Sequence, residues 1–138
     1  MPKLDHVAIR VANLEASIGF YTKKLGLKLL FQQVDPAHGE AFAFLELEGG
    51  NLELLQMLDD TSNHGPDNKH PSTWQPAPIK KPYCPHLALE ATDLELQVEQ
   101  LQAANIPIVA GPLEIPGSVR WLYIHDPDNN IIEYIEHL

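Results

Sequence analysis

The 138-residue chain carries nine Lys and Arg against nineteen Asp and Glu, a formal net charge of -10 at pH 7. That balance opposes the polyanionic backbone of nucleic acids, whose binding depends on clustered cations displacing counterions, so nucleic acid is not an expected partner. The hydrophobic fraction of 44% supports a sizeable core, and no run approaches the roughly 18 apolar residues of a membrane helix. In chain order, the opening Met1-Pro2-Lys3-Leu4-Asp5 lacks the apolar stretch of a signal peptide, which predicts a cytoplasmic protein. A first strand is expected over residues 4–11, then a helix capped by Asn13 that carries Ile18, Phe20, Tyr21 and Leu25 and stops at Gly26. A second strand starts over 27–31, and a hairpin follows: 41–47, a Gly49-Gly50 turn, and 52–57.

Residues 58–82 hold five prolines and almost no apolar periodicity, which predicts a connecting loop, a linker or a lid. His64, His70 and Trp74 lie there and read as solvated loop residues with one anchoring aromatic. The single cysteine, Cys84, gives no intramolecular disulfide and fits a reducing compartment. A strand is expected again over 85–91, with a helix capped by Asp93 that turns Leu94, Val98 and Leu101 inward and ends near Asn105. Extended chain resumes at Ile106-Pro107-Ile108-Val109, and a hairpin over 119–125 and 131–135 turns through Asp126-Pro127-Asp128-Asn129-Asn130. The predicted organisation is α+β: two tandem βαβββ modules, 1–57 and 83–138, joined by 58–82 and forming a curved mixed sheet around a metal site.

Displaced by 80 residues, the sequence matches itself. Residues 6–15, HVAIRVANLE, fall on 86–95, HLALEATDLE, and residues 51–56, NLELLQ, fall on 131–136, IIEYIE, at the same offset with no gap. Chance similarity of short apolar strands accounts for the Val, Ile and Leu matches but not for polar residues matched at one offset. Strand alternation places His6, Ala8 and Arg10 on one face and Val7, Ile9 and Val11 on the other, with His86 and Ala88 repeating the arrangement. With the apolar face under the helices, the His face lines the concavity, where Glu53 and Glu133 reach it. Two imidazoles and two carboxylates suit one divalent ion such as nickel, cobalt, zinc, manganese or iron. A lone strand histidine is ordinarily structural, and it is the recurrence of all four as symmetry mates that favours a metal. His125 and His137 lack such mates and are read as chemically idle. Arg10, Lys80, Lys81 and Arg120 are the cations available to an anionic small-molecule substrate.

Four segments, HVAIRVANL from His6, FYTKKLGL from Phe20, PHLAL from Pro85 and DPDNNIIE from Asp126, resemble the vicinal oxygen chelate superfamily, which holds glyoxalases, bleomycin-resistance proteins and dioxygenases. The likeness covers nearly the whole chain, and the two-His, two-Glu set is most similar to bacterial glyoxalase I, a lactoylglutathione lyase. The resemblance implies one metal, nickel or cobalt first, held by His6, Glu53, His86 and Glu133. It implies proton transfer through an enediolate of the hemithioacetal of methylglyoxal and a thiol, with Glu133 as base and Glu53 sharing the task. It also implies a homodimer, and Arg10 as a contact for a substrate carboxylate. Departures are Met57 where the family has a glutathione-contacting Asn, and Gly111-Pro112-Leu113-Glu114 where a lysine often follows the Gly-Pro. Other branches give the alternatives: a methylmalonyl-CoA epimerase, a ferrous dioxygenase, or a protein that only binds a small molecule.

Overall fold

In a computed structural model of the protein, the described residues are Met1, 4–58 and 86–138. The expected connecting loop, Leu58 apart, and with it His64, His70, Trp74, Lys80 and Lys81, lies outside them, as does Cys84. The chain divides into two compact units, Met1–Gln75 and Pro76–Leu138. No helix among the described residues is long and apolar enough to cross a membrane.

The first unit runs β1 His6–Arg10, α1 Leu14–Gly19 continuing as a π-helical turn Phe20–Lys24, β2 Lys28–Asp35, β3 Glu40–Glu46 and β4 Asn51–Met57. Its mixed sheet has the order β1-β4-β3-β2, with β1 parallel to β4 and the other pairs antiparallel. The second unit repeats this with β5 Leu87–Glu90, α2 Leu94–Ala103, β6 Ala110–Ile115, β7 Val119–His125 and β8 Ile131–His137, ordered β5-β8-β7-β6. Two βαβββ modules are therefore present, as the offset predicts.

Both helices begin as expected. The Asn13 side chain accepts from the Ala16 N–H and Asp93 from the Leu96 N–H, each occupying an otherwise orphaned donor of the first turn. They end on residues in the left-handed region, Gly26 (φ 78) and Asn105 (φ 56). In the second module the Asn105 N–H reaches the Gln102 carbonyl and the Ile106 N–H reaches Leu101, and Ile106 is buried under the helix end. Ile106 is thus spent on the helix end, and the extended chain joins β7 only from the Val109 N–H, which donates to the Tyr123 carbonyl, with β6 following from Ala110.

The gap-free offset also needs correction. From cap to left-handed residue the first module has 12 residues (14–25) and the second 11 (94–104). The extra residue is absorbed where Leu25 N–H bonds back five residues to the Phe20 carbonyl, the wider turn of a π-bulge. Thereafter the mates stand 79 apart, Phe44 facing Glu53 as Tyr123 faces Glu133. The final turn restores 80, because four residues (47–50) separate β3 from β4 and five (126–130) separate β7 from β8. Buried Asp126 holds that longer turn, its Oδ1 accepting from the Asp128 and Asn130 N–H groups.

Each sheet buries one face against its helix. In the first module Ala41, Ala43, Leu45, Leu52 and Leu54 meet Leu14, Ile18, Phe20 and Tyr21; in the second, Leu122, Ile124, Ile132 and Tyr134 meet Leu94 and Leu101. Val98 is only half-buried. Val7, expected in the core with Ile9 and Val11, keeps 41% of its surface because β1 is the edge of its sheet, whereas Val11 is fully enclosed. Burial pushes the Tyr134 hydroxyl up to about 12. A folded value above the unfolded one near 10 contributes stability that is complete below pH 10 and is lost as pH rises toward 12, an effect on the order of 2 kcal/mol. Urea midpoints measured between pH 8 and 11.5 are expected to fall more steeply for the wild type than for Tyr134→Phe, and parallel curves would refute this.

Candidate metal-binding half-sites

The polar residues matched at the 80-residue offset divide by what they touch. Asn13 and Asp93 are helix caps. Gln56 and Glu136 supply a second cap, Gln56 Oε1 accepting from the Leu14 N–H at 2.7 Å and Glu136 Oε2 from the Leu94 N–H at 3.3 Å. Glu15 and Glu95 lie in the first turns, where the helix dipole favours an anion. Helix architecture thus accounts for these pairs and leaves His6 with His86 and Glu53 with Glu133.

Those four lie on the sheet face turned away from the helices. In parallel register Ala8 stands opposite Glu53 and Ala88 opposite Glu133, and each histidine begins or directly precedes the edge strand two residues earlier. His6 Nε2 lies 3.3 Å from Glu53 Oε2, and His86 Nε2 lies 2.7 Å from Glu133 Oε2. Both carboxylates are mostly covered, with side-chain exposures of 16% and 11%. The structure thus pairs the predicted ligands within each module. Among the described residues no third His, Cys, Asp or Glu joins either pair in ligating geometry.

The donor chemistry fits a divalent ion. Two donors held by one ion at about 2.1 Å and at right angles stand about 3 Å apart, close to both observed separations. In the first pair His6 Nδ1 is 2.5 Å from Asp5 Oδ2, so each ring nitrogen of His6 has a carboxylate oxygen beside it. A neutral ring has one N–H for these two acceptors, and a cation between Nε2 and Glu53 Oε2 would satisfy the second. The His6 pKa is raised, chiefly by the hydrogen bond to Asp5, with desolvation opposing and the charges of Glu53 and Asp5 adding to the rise.

An aromatic ring stands edge-on to each imidazole: Phe44 against His6, with centroids 5.2 Å apart, and Tyr123 against His86, at 5.8 Å. Each of these rings is also the cross-strand neighbour of the module's glutamate. The gap-free comparison misses this matched pair; an offset of 79 puts Phe42 on Trp121 and Phe44 on Tyr123 and reveals it. Phe31 stacks on Phe44 at 5.0 Å and extends the apolar surface beside the first pair.

Of the predicted cations, Arg10 shares the face and strand of His6, opposite Leu55. Arg120 does not serve the site, because it points toward Glu95 and Glu136 at 3.6 and 3.7 Å beside the start of α2. Glu114 is exposed on β6, across from Arg120. His125 and His137 are exposed at opposite ends of the β7–β8 hairpin.

The family model described as the Glyoxalase/Bleomycin resistance protein/Dioxygenase superfamily matches residues 3–134. The lactoylglutathione lyase of Haemophilus influenzae is 31% identical over 135 residues, which span 96% of this chain and 90% of that protein. Among solved structures, the trypanothione-dependent glyoxalase I of Leishmania major is 24% identical with a TM-score of 0.71, over 99% of this chain and 87% of its own. An antibiotic-binding protein of a Streptomyces species is 20% identical with a TM-score of 0.70, over 100% and 98%. At such identities these two structures speak for the fold alone. The matched family model and the relative of 31% identity, both spanning nearly the whole sequence, place this chain in the Glyoxalase/Bleomycin resistance protein/Dioxygenase superfamily.

Proposed function

We propose that the protein is a metal-dependent lyase or isomerase of the glyoxalase I type, moving a proton between adjacent carbons of the hemithioacetal of methylglyoxal and a thiol. The observation that carries this reading is the recurrence of one His–Glu pair on the same face of each module, with Nε2 of each imidazole beside a carboxylate oxygen of its glutamate. The lactoylglutathione lyase of Haemophilus influenzae supports it.

His6, Glu53, His86 and Glu133 would hold one divalent ion, nickel or cobalt by preference, with zinc, manganese or iron as alternatives. A complete set takes one pair from each module, drawn from a single chain or from two copies in a homodimer. When bound, the ion supplies Lewis acidity that makes the carbon-bound hydrogen beside the carbonyl more acidic. Glu133 takes that proton and returns it to the neighbouring carbon, and Glu53, its symmetry mate, stands on the equivalent strand to share the transfer. Arg10 offers a guanidinium on the His6 strand to a carboxylate of the substrate.

The test is elemental analysis of the purified protein, then assay with added nickel, cobalt, zinc, manganese or ferrous iron. Metal-dependent conversion of the hemithioacetal is the expected result. Turnover of methylmalonyl-CoA alone, oxygen consumption with ferrous iron alone, or ligand binding unaffected by metal removal would each overturn it in favour of another branch.

A further inference from the structure

Asp5, a charged residue outside the proposed ligand set, touches one of its members, His6. Asp5 precedes β1, and its carbonyl accepts from the Asn51 N–H at 2.9 Å, which ties its backbone to β4 two residues before Glu53. Its carboxylate lies 2.5 Å from His6 Nδ1. We propose that Asp5 is a positioning residue that holds His6 in the Nδ1–H form, so that the first half-site stays open to a metal instead of closing on itself. This rests on the metal-binding reading above.

A neutral imidazole has one N–H. With that hydrogen on Nε2, 3.3 Å from Glu53 Oε2, the ring would donate to Glu53, and the pair would satisfy itself and bury the lone pair a metal requires. Both flanking carboxylates can only accept, and Asp5 is the nearer, 2.5 Å against 3.3 Å for Glu53, so the hydrogen is drawn to Nδ1 and Nε2 is left bare beside Glu53. The same contact makes the ring a more basic ligand and fixes its plane, which the edge of Phe44 restrains from the β3 side. Eighty residues on, the position of Asp5 is taken by Pro85, whose side chain cannot accept a hydrogen bond, so this contribution from the preceding residue belongs to the first half-site.

Two measurements on the full chain test this. In metal-free protein at pH 9, long-range proton–nitrogen NMR correlations are expected to show His6 as Nδ1–H in the wild type and shifted toward Nε2–H in Asp5→Ala. Zinc affinity at pH 7.5, by competition with a chromogenic chelator, is expected to fall 10- to 100-fold, as for other partners of ligating histidines. Asp5→Asn, which keeps an acceptor oxygen without the charge, should lie between the two. Glu46→Gln, which removes an equal charge from the exposed end of β3, should change affinity less than about twofold. Zinc binding with an Asp5→Ala protein unchanged in tautomer and affinity overturns the role of Asp5 and leaves the metal reading standing. A wild type that binds no metal yet shows the tautomer shift overturns the metal reading and leaves the orientation of His6 by Asp5 standing.

Discussion

Glu133→Gln is expected to lower kcat by about 10²- to 10⁴-fold at saturating metal, the range typical of losing a positioned proton carrier. The substitution is nearly isosteric, and the residue lies on the face away from the helix, so the melting temperature of the metal-free protein should shift by no more than a few degrees. Glu53→Gln should cost less, because Glu53 is the more exposed of the two and stands farther from its histidine, 3.3 against 2.7 Å. The measurement is steady-state turnover of both variants with metal content verified on the same samples. Full turnover in a metal-loaded Glu133→Gln protein would remove that residue from the mechanism, and a larger loss in Glu53→Gln would exchange the two roles.

Leu54→Ala carries the largest expected effect on stability. Leu54 is fully enclosed in β4, an inner strand, with Ile9 and Ala43 as its cross-strand neighbours and the helix above. Removing three buried carbons there leaves a cavity that the flanking strands cannot close, for a loss of about 2–5 kcal/mol in urea unfolding. Leu55 is next in sequence but faces the other way, opposite Arg10 and Phe42, and is only half-buried. Leu55→Ala should cost less than about 1.5 kcal/mol. Equal losses at the two positions would contradict the division of each sheet into a packed and an open face.

Much of this division is readable in the residues. Asn13 and Asp93 announce their helices because short polar side chains bond to the first turn, and Gly26 and Asn105 end them because they tolerate positive φ. The pairing of His6 with Glu53 and of His86 with Glu133 follows from alternation and offset. What escapes is whatever depends on two elements meeting. Arg120 looks available until the strand places it beside Glu95 and Glu136. Gln56 and Glu136 look like exposed strand ends until the helix start arrives above them. The aromatic mates Phe44 and Tyr123 are hidden because a π-turn in one half and a longer hairpin turn in the other cancel in the total count. Asp5 is overlooked because its effect works through a single hydrogen on its neighbour.

The two faces of β4 and β8 have a consequence for how such a chain can change over generations. Leu52, Leu54, Ile132 and Tyr134 are answerable to the fold, whereas Glu53 and Glu133, alternating with them on the open face, would under the proposed function answer to what is bound. A change at a glutamate therefore alters chemistry with little penalty in folding, and because each half carries its own caps and its own apolar layer, one half can drift while the other is kept. A repeated module of this kind would let the scaffold and the reaction be inherited separately, residue by residue along the same strand.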